Sequence, residues 1–250
     1  MSLPVHLVAS LDGAAVGGAV SVDGDEAHHA VAVRRLRAGE QVVLSDGRGT
    51  SVTAEVAETG KRLFTATVLS VTTHPAPEPS VVVVQALPKG ERGELAVEVL
   101  TEIGVARIVP WAASRSVAVW KGERAEKSLA KWRSTAREAA KQARRAWLPE
   151  VDPLASTADV VELIAAAAYA VVLHEEATTA LATDLASVPL PPTGPLVVVV
   201  GPEGGLTPDE VEAFVSAGAV SVRLGAEVLR TSTAGVAAVA ALLSRTERWT

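Results

Sequence analysis

Two short segments hold the residues best suited to chemistry. Gly201-Pro202-Glu203-Gly204-Gly205 sets one carboxylate among three glycines, and Leu224 to Ala234, LGAEVLRTSTA, sets Arg230 beside Gly225, two further leucines' worth of apolar surface at Leu224 and Leu229, and the hydroxyls of Thr231, Ser232 and Thr233. Glycines admit positive φ and bring main-chain groups close to a ligand, and an arginine stays charged when dehydrated, so it can stabilise an anion. Loops that leave parallel strands and enter helices form ligand crevices, because strand C-termini and helix N-termini converge there. Either loop alone is generic; the pair makes a site candidate.

The flanking sequence supplies the elements that position these loops. Leu196 to Val200 is apolar and β-branched throughout, as a strand buried on both faces must be, and it stops at Gly201. Thr207-Pro208-Asp209-Glu210 offers an N-cap, a proline in the first turn and a capping-box glutamate, which predicts a helix ending before Gly218. Val220 to Leu224 repeats the strand pattern into Gly225, and Ser232 or Thr233 is placed to cap an Ala-rich helix reaching about Arg245.

Further strands are expected at Val81 to Ala86, Arg107 to Trp111 and Ala170 to Leu173, alternating with helical stretches, the grammar of a parallel sheet covered by helices. The proline-rich TTHPAPEPS, Thr72 to Ser80, reads as a linker. Before it, short β-rich runs at Gln41 to Leu44, Ser51 to Val56 and Leu63 to Val71 are separated by turns at Asp46-Gly47-Arg48-Gly49 and Glu58-Thr59-Gly60. The fold class expected is α/β, with a small β-barrel or sheet domain over 1–72, a linker over 73–80 and a parallel-sheet domain over 81–250.

Composition narrows the function. A chain of 250 residues with 48% hydrophobic content has ample core for a folded protein. No basic region precedes an early apolar stretch, since Arg34 is the first Lys or Arg, and no secretion signal is expected. The tract Val160 to Leu173 is too short to span a bilayer and holds Glu162, so it predicts a helix turning into a strand. A cytoplasmic location and no membrane partner follow. The absence of cysteine excludes disulfides and thiolate chemistry, and the five histidines lack metal-ligand spacing, so no metal is expected. No GxGxxG follows an early strand, which disfavours a dehydrogenase.

The net charge of −6 is unlike an average nucleic-acid binder, but its distribution is uneven. Between Arg115 and Arg145, ten Lys or Arg face only Glu123, Glu126 and Glu138. This stretch, helical from about Glu123 to Arg145, can either run its cations along phosphates or present a solvated helix face. Trp111, Trp120, Trp132 and Trp147 are interleaved with it; indoles stack on unpaired bases, while core packing is expected for at least half of them.

Taken together, GPEGGLTPDE and LGAEVLRTSTA resemble the two signature stretches of the ribosomal RNA small-subunit methyltransferase E family, one of the knotted SPOUT methyltransferases. Lys89-Gly90-Glu91-Arg92, Thr101 to Val105, Ser114-Arg115-Ser116 and EAAKQARRAWLP, Glu138 to Pro149, follow in the order that family shows, and His28-His29 with Val33, Arg35 and Gly39 matches its first domain. Val99 and Arg34 depart from the pattern, outside both loops. The resemblance implies a PUA-like first domain, a second domain whose C-terminal segment threads a trefoil knot, a homodimer, and methyl transfer from S-adenosylmethionine to N3 of a uridine in 16S ribosomal RNA of the small subunit.

That chemistry needs a base for the N3 proton or a cation for the uridine anion. The resemblance puts Arg145 and Arg230 first for this role and Arg115 third, with Arg145 assigned by counting back from Pro149 through two adjacent arginines. For the cofactor it implies Leu173, His174, Glu175, Gly201, Glu203, Gly205, Leu224, Gly225, Leu229 and Thr233, where Glu203 is ranked as a structural carboxylate above a base. For RNA it implies Arg34, Arg35, Arg37, Lys89, Arg92, Arg115, Gln142, Arg144 and Arg145. Two other classes stay open: an RNA-binding or assembly protein of this fold without transfer, and a methyltransferase acting on a ribose 2′-hydroxyl or a tRNA base.

Overall fold

Val81 to Val84 and Val197 to Val200 are two runs of four valines, and they pair with each other at the centre of a parallel sheet. A strand apolar at every position is stable only when helices cover both faces. The computed structural model describes residues 3–249 and falls into two compact units, Pro77–Ala139 with Pro149–Thr250, and Met1–Ala76 with Ala140–Leu148.

The larger unit holds strands that we number within the whole chain as β6 (Ser80–Ala86), β7 (Arg107–Trp111), β8 (Glu150–Val151), β9 (Tyr169–Leu173), β10 (Pro195–Val200) and β11 (Val220–Val222). All pair in parallel, in the order β11-β9-β10-β6-β7-β8. The chain resumes after β8 at β9, two places from β6, and β10 then fills the gap between them. The helices are α2 (Arg92–Glu102), α3 (Glu123–Gln142), α4 (Thr157–Ala165), α5 (Leu181–Ser187), α6 (Pro208–Ser216) and α7 (Thr231–Leu243). The last turn of α3 belongs to the other unit.

Alternate residues of each strand feed two cores. Val81, Val83, Val198 and Val200 pack with Leu100 of α2, Leu181 of α5 and Val239 and Leu242 of α7. Val82, Val84, Val197 and Val199 face the other way, towards Val160 and Ile164 of α4 and Phe214 of α6. Trp111 and Trp132 are buried, the first edge-on to Phe214 and the second edge-on to Trp120, so core packing accounts for them. Gly93 lets α2 lie against Trp132, since a Cβ there would sit 2.9 Å from the indole.

The smaller unit contains β1 (Val5–Leu7), β2 (Ala19–Asp23), β3 (Gln41–Ser45), β4 (Thr50–Thr59), β5 (Leu63–Thr73) and the short helix α1 (Gly24–His28). Its five-stranded sheet runs β1-β3-β4-β5-β2. Val52, Ala54 and Val56 of β4 and Phe64, Ala66 and Val68 of β5 alternate inward onto one core. Residues 140–148 join this unit through the 46–49 turn. Gly49 donates to the Ala146 carbonyl and Leu148 to the Gly47 carbonyl, and a Cβ on Gly49 or Gly47 would collide with Trp147 or Leu148.

The structure alters several expectations. β1 and β2 are too short and mixed to stand out as strands in the sequence, and Glu58 and Thr59, read as turn, continue β4. β11 ends at Val222 rather than Leu224. The N-cap of α7 is Arg230, not Ser232 or Thr233, because the helix begins at Thr231 and Ser232 is buried inside it. Trp147 is occupied within its own unit, its indole N–H donating to the His74 carbonyl at 3.0 Å.

Candidate functional site

Register sets the floor of the site. Leu173 pairs with Val200 on one side and Val222 on the other, so the last residues of β9, β10 and β11 form one row across the sheet. Above it lies a cavity of about 340 Å³, walled by the Gly201–Leu206 loop, the residues after β9 and the long loop from Arg223 to Arg230. The two segments picked out by the sequence therefore share one cavity, at the C-terminal edge of a parallel sheet.

Of the residues expected at the cofactor, Leu173, His174, Glu175, Gly201, Glu203, Gly205, Leu224, Gly225 and Leu229 line this cavity. Thr233 does not; it sits exposed in the first turn of α7, where its hydroxyl donates to the Arg230 carbonyl at 3.3 Å. Thr231 lines the cavity instead, as do Pro202, Leu206 and Val228, none of which is in the set expected at the cofactor. Their signal is only positional: each neighbours a residue that was named.

Two of the three glycines make room for neighbouring parts of the protein. Gly205 alone of the three has positive φ, +70°. A Cβ on Gly201 would lie 3.0 Å from the Leu206 side chain, and one on Gly204 would lie 2.9 Å from the Arg115 carbonyl oxygen. The expected close approach to main chain exists, but the approaching atoms at Gly201 and Gly204 are the protein's own. Arg115 closes the arrangement, its Nη1 donating to the carbonyls of Leu206 at 3.1 Å and Gly204 at 3.4 Å.

Two carboxylates fix the loop from either side. Glu203 accepts the Lys89 N–H at 3.1 Å, which ties the loop to the segment after β6. That is a structural role, supplied by a neighbouring loop and not by the following helix. Glu210 is buried; one oxygen accepts the Thr207 N–H and the other the Ser114 N–H, both at 2.8 Å. Burial raises its pKa, but the hydrogen bonds from Ser114 and Thr207 win and hold it below the usual carboxylate range.

Cationic groups reach the cavity as Arg92 at the start of α2, Arg223 and Arg230. Arg230, exposed at the N-terminus of α7, also anchors that helix by accepting the Thr233 and Ala234 N–H groups with its carbonyl. Lys89 lies beside Glu203 without lining the cavity. Arg34, Arg35, Arg37, Gln142, Arg144 and Arg145 all belong to the smaller unit. There Arg145 lines a groove with Ser45, Ser51 and His74, while Arg34, Gln142 and Arg144 line another with His29.

The basic stretch is partly spent inside the protein. Lys131 pairs with Glu94 at 2.9 Å, Arg133 donates to the Val151 carbonyl, and Lys141 is paired with Glu26. The Ala-rich α7 is likewise used internally: a Cβ on Gly235 would already touch Leu100 of α2, so its close helix packing is within the unit. Among the described residues no group of His, Cys, Asp and Glu could hold a metal, and no helix is long and apolar enough to cross a membrane.

Residues 75–243 match the family model described as RNA methyltransferase domain, and residues 22–69 match RNA methyltransferase PUA domain. Ribosomal RNA small subunit methyltransferase E of Mycobacterium bovis is 48% identical over 237 residues, covering 93% of this chain and 89% of the relative. The protein of that name from Bacillus subtilis is 32% identical, covering 91% and 90%. Among solved structures, ribosomal RNA small subunit methyltransferase E from Neisseria gonorrhoeae, bound to S-adenosyl methionine, has a TM-score of 0.85 at 27% identity, covering 97% of this chain and 98% of that one.

Proposed function

The chain belongs to the ribosomal RNA small subunit methyltransferase E family, and on that premise we propose that it transfers the methyl group of S-adenosylmethionine to N3 of a uridine in 16S ribosomal RNA. One observation carries the reading: the GPEGG loop and the LGAEVLRTSTA loop wall a single cavity over the ends of β9, β10 and β11. Its residues suit that cofactor. Leu173, Val200 and Val222 give a flat adenine an apolar floor, glycine-loop main chain offers groups for its edges, and Glu175 and Glu227 place negative charge near a cationic ligand.

Bound S-adenosylmethionine supplies an activated methyl on a sulfonium, whose carbon–sulfur bond breaks as the carbon–nitrogen bond to uridine forms. The chain's part is to hold donor and acceptor in line and to make N3 nucleophilic. Loss of the N3 proton leaves charge on O2 and O4, which an arginine can take without itself giving up a proton. Arg230, at the cavity, and Arg145, in the smaller unit, are our two candidates. Arg115 ranks below them, because its guanidinium is committed to the Gly204 and Leu206 carbonyls.

The same reading includes a PUA-like barrel, a trefoil knot, a homodimer and a cytoplasmic place of work. Register shifts between β4 and β5 support the barrel, since bulges bend strands. The late insertion of β10 between β9 and β6 supports the knot. Val228, 80% exposed beside the cavity, gives a second copy an apolar surface to cover.

The test incubates the full chain with labelled S-adenosylmethionine and small ribosomal subunits, or protein-free 16S RNA, that lack the modification. Label in the RNA of either substrate is the expected result. Label in neither substrate, with cofactor bound to folded protein, would overturn the assignment.

A further inference from the structure

Gln85 follows four valines in β6 and is fully buried. A primary amide in such a place costs stability unless its groups are bonded, and a hydrophobe of similar length would avoid that cost. Its Nε2 is bonded, donating to the Ala86 carbonyl at 3.1 Å and, across the unit, to the Thr231 carbonyl at 3.3 Å. Its Oε1 is buried with no partner among the described residues. Turned over, the amide would set its oxygen against both carbonyls, so the partners fix which end donates. Ser232, next to Thr231, also buries a hydroxyl without a partner. Such a junction is poor for stability, which directs attention to what the Nε2 bond holds in place.

Thr231 is the first residue of α7; it lines the cavity and directly follows Arg230. The wall that ends there has few ties of its own. Arg223 is anchored through its main chain, its N–H donating to the Thr179 carbonyl and its carbonyl accepting the Leu181 N–H, both at 2.9 Å. Among the described residues no hydrogen bond holds Leu224 to Leu229, so this wall is placed by its two ends.

At the far end, α7 rests on the sheet through apolar contacts, and a Cβ on Gly235 would lie 3.3 Å from both Leu100 and Val200. Apolar contact sets how close the helix lies but has no direction, whereas the bond from Gln85 to Thr231 does. Gln85 is also the register partner of Val200, which pairs with Leu173 on its other side; both of these residues line the cavity. One strand position thus joins the end of the wall to the cavity floor.

We propose that Gln85 is a positioning residue for methyl transfer: by holding the Thr231 carbonyl it places the first turn of α7, and with it Arg230 and the wall over the cofactor. The proposal rests on the reading of this cavity as the S-adenosylmethionine site. Full-length wild type, Gln85→Met and Gln85→Glu would be compared for melting temperature, for kcat on unmodified small subunits, and by calorimetric titration with S-adenosylmethionine. The titrations run from about pH 9 to about pH 6, a span in which a buried carboxyl can change charge. Gln85→Met keeps the length and removes the donor. It should melt near wild type yet bind cofactor about tenfold more weakly, the size of one lost hydrogen bond, with kcat lowered by a similar factor. A residue that only filled the core would shift the melting temperature and leave both of those unchanged.

Gln85→Glu gives a second readout. Ionised, its carboxylate faces two carbonyl oxygens; protonated, it offers an O–H to Thr231 in place of the amide. Its affinity deficit relative to wild type should therefore shrink as the pH falls, while that of Gln85→Met stays constant. Should Gln85→Met not fold, this trend decides. Wild-type affinity and kcat in Gln85→Met, or a Gln85→Glu deficit that stays the same down to about pH 6, would overturn this proposal alone. A folded wild type that does not bind S-adenosylmethionine would overturn the functional reading and this proposal together.

Discussion

Glu210 and Ser114 are joined across the larger unit, the carboxylate of α6 accepting the backbone N–H of the segment after β7 at 2.8 Å. The same carboxylate closes the capping box with Thr207, so one buried side chain fixes both the start of α6 and the strand-end loop that carries Arg115. Replacing Glu210 by Ala removes the acceptor for two N–H groups and is expected to cost about 2 kcal/mol in urea unfolding. Its folded pKa lies below the unfolded value, so its contribution is complete above the unfolded carboxylate pKa and disappears as the pH falls through the folded one. Wild type should lose stability on that acid limb, and Glu210→Ala should show a flatter one.

Gly204→Ala and Gly201→Val should each lower cofactor affinity by tenfold or more while far-UV circular dichroism stays native. The first drives a Cβ into the Arg115 main chain, and the second pushes Leu206, which lines the cavity. Calorimetric titration with S-adenosylmethionine checks both. Wild-type affinity in either variant would contradict the role assigned to the loop.

Arg115 and Arg230 should separate in kinetics. Arg115→Ala frees the Gly204 and Leu206 carbonyls and is expected to raise the KM for cofactor with a smaller effect on kcat. Arg230→Ala should lower kcat by roughly 100-fold, the size of a lost electrostatic contact, with cofactor affinity within a few-fold. Arg145→Ala should behave like Arg230→Ala. Full activity in either would remove that residue from the catalytic account.

Lys141, Glu26 and His6 form a largely buried hydrogen-bonded cluster in the smaller unit. Burial raises the Glu26 pKa, but hydrogen bonds from His6 and Lys141 outweigh it and bring it down to about 2. The stabilisation is therefore held at neutral pH and lost as the pH falls from about 4.5 to about 2. Lys141→Met should cost about 3 kcal/mol by stranding the carboxylate. Faster hydrogen exchange at β1 and α1 would report it.

The strands around the cavity were legible because β6 and β10 are apolar at every position, a pattern with one physical solution. The cavity was legible because its loops carry glycines at strand ends. What stayed hidden depends on contacts distant in sequence. The glycines at 47 and 49 read only as a turn, and nothing local says that they make room for Leu148 and Trp147. The capping of α7 by Arg230 defeated the preference for Ser or Thr, because burial of Ser232 mattered more than its capping power. Arg115 ranks third among the cations that the resemblance implies, and nothing local in the sequence says that its Nη1 donates to the Gly204 and Leu206 carbonyls.

The most direct measurement is the identity of the modified nucleoside. Unmodified small subunits treated with the full chain and S-adenosylmethionine would be digested and the nucleosides resolved by mass spectrometry against standards. The expected product is 3-methyluridine from 16S RNA, formed roughly 100-fold more slowly when Arg230 is replaced by Ala. A 2′-O-methyl nucleoside, or a methylated base other than uridine, would contradict it.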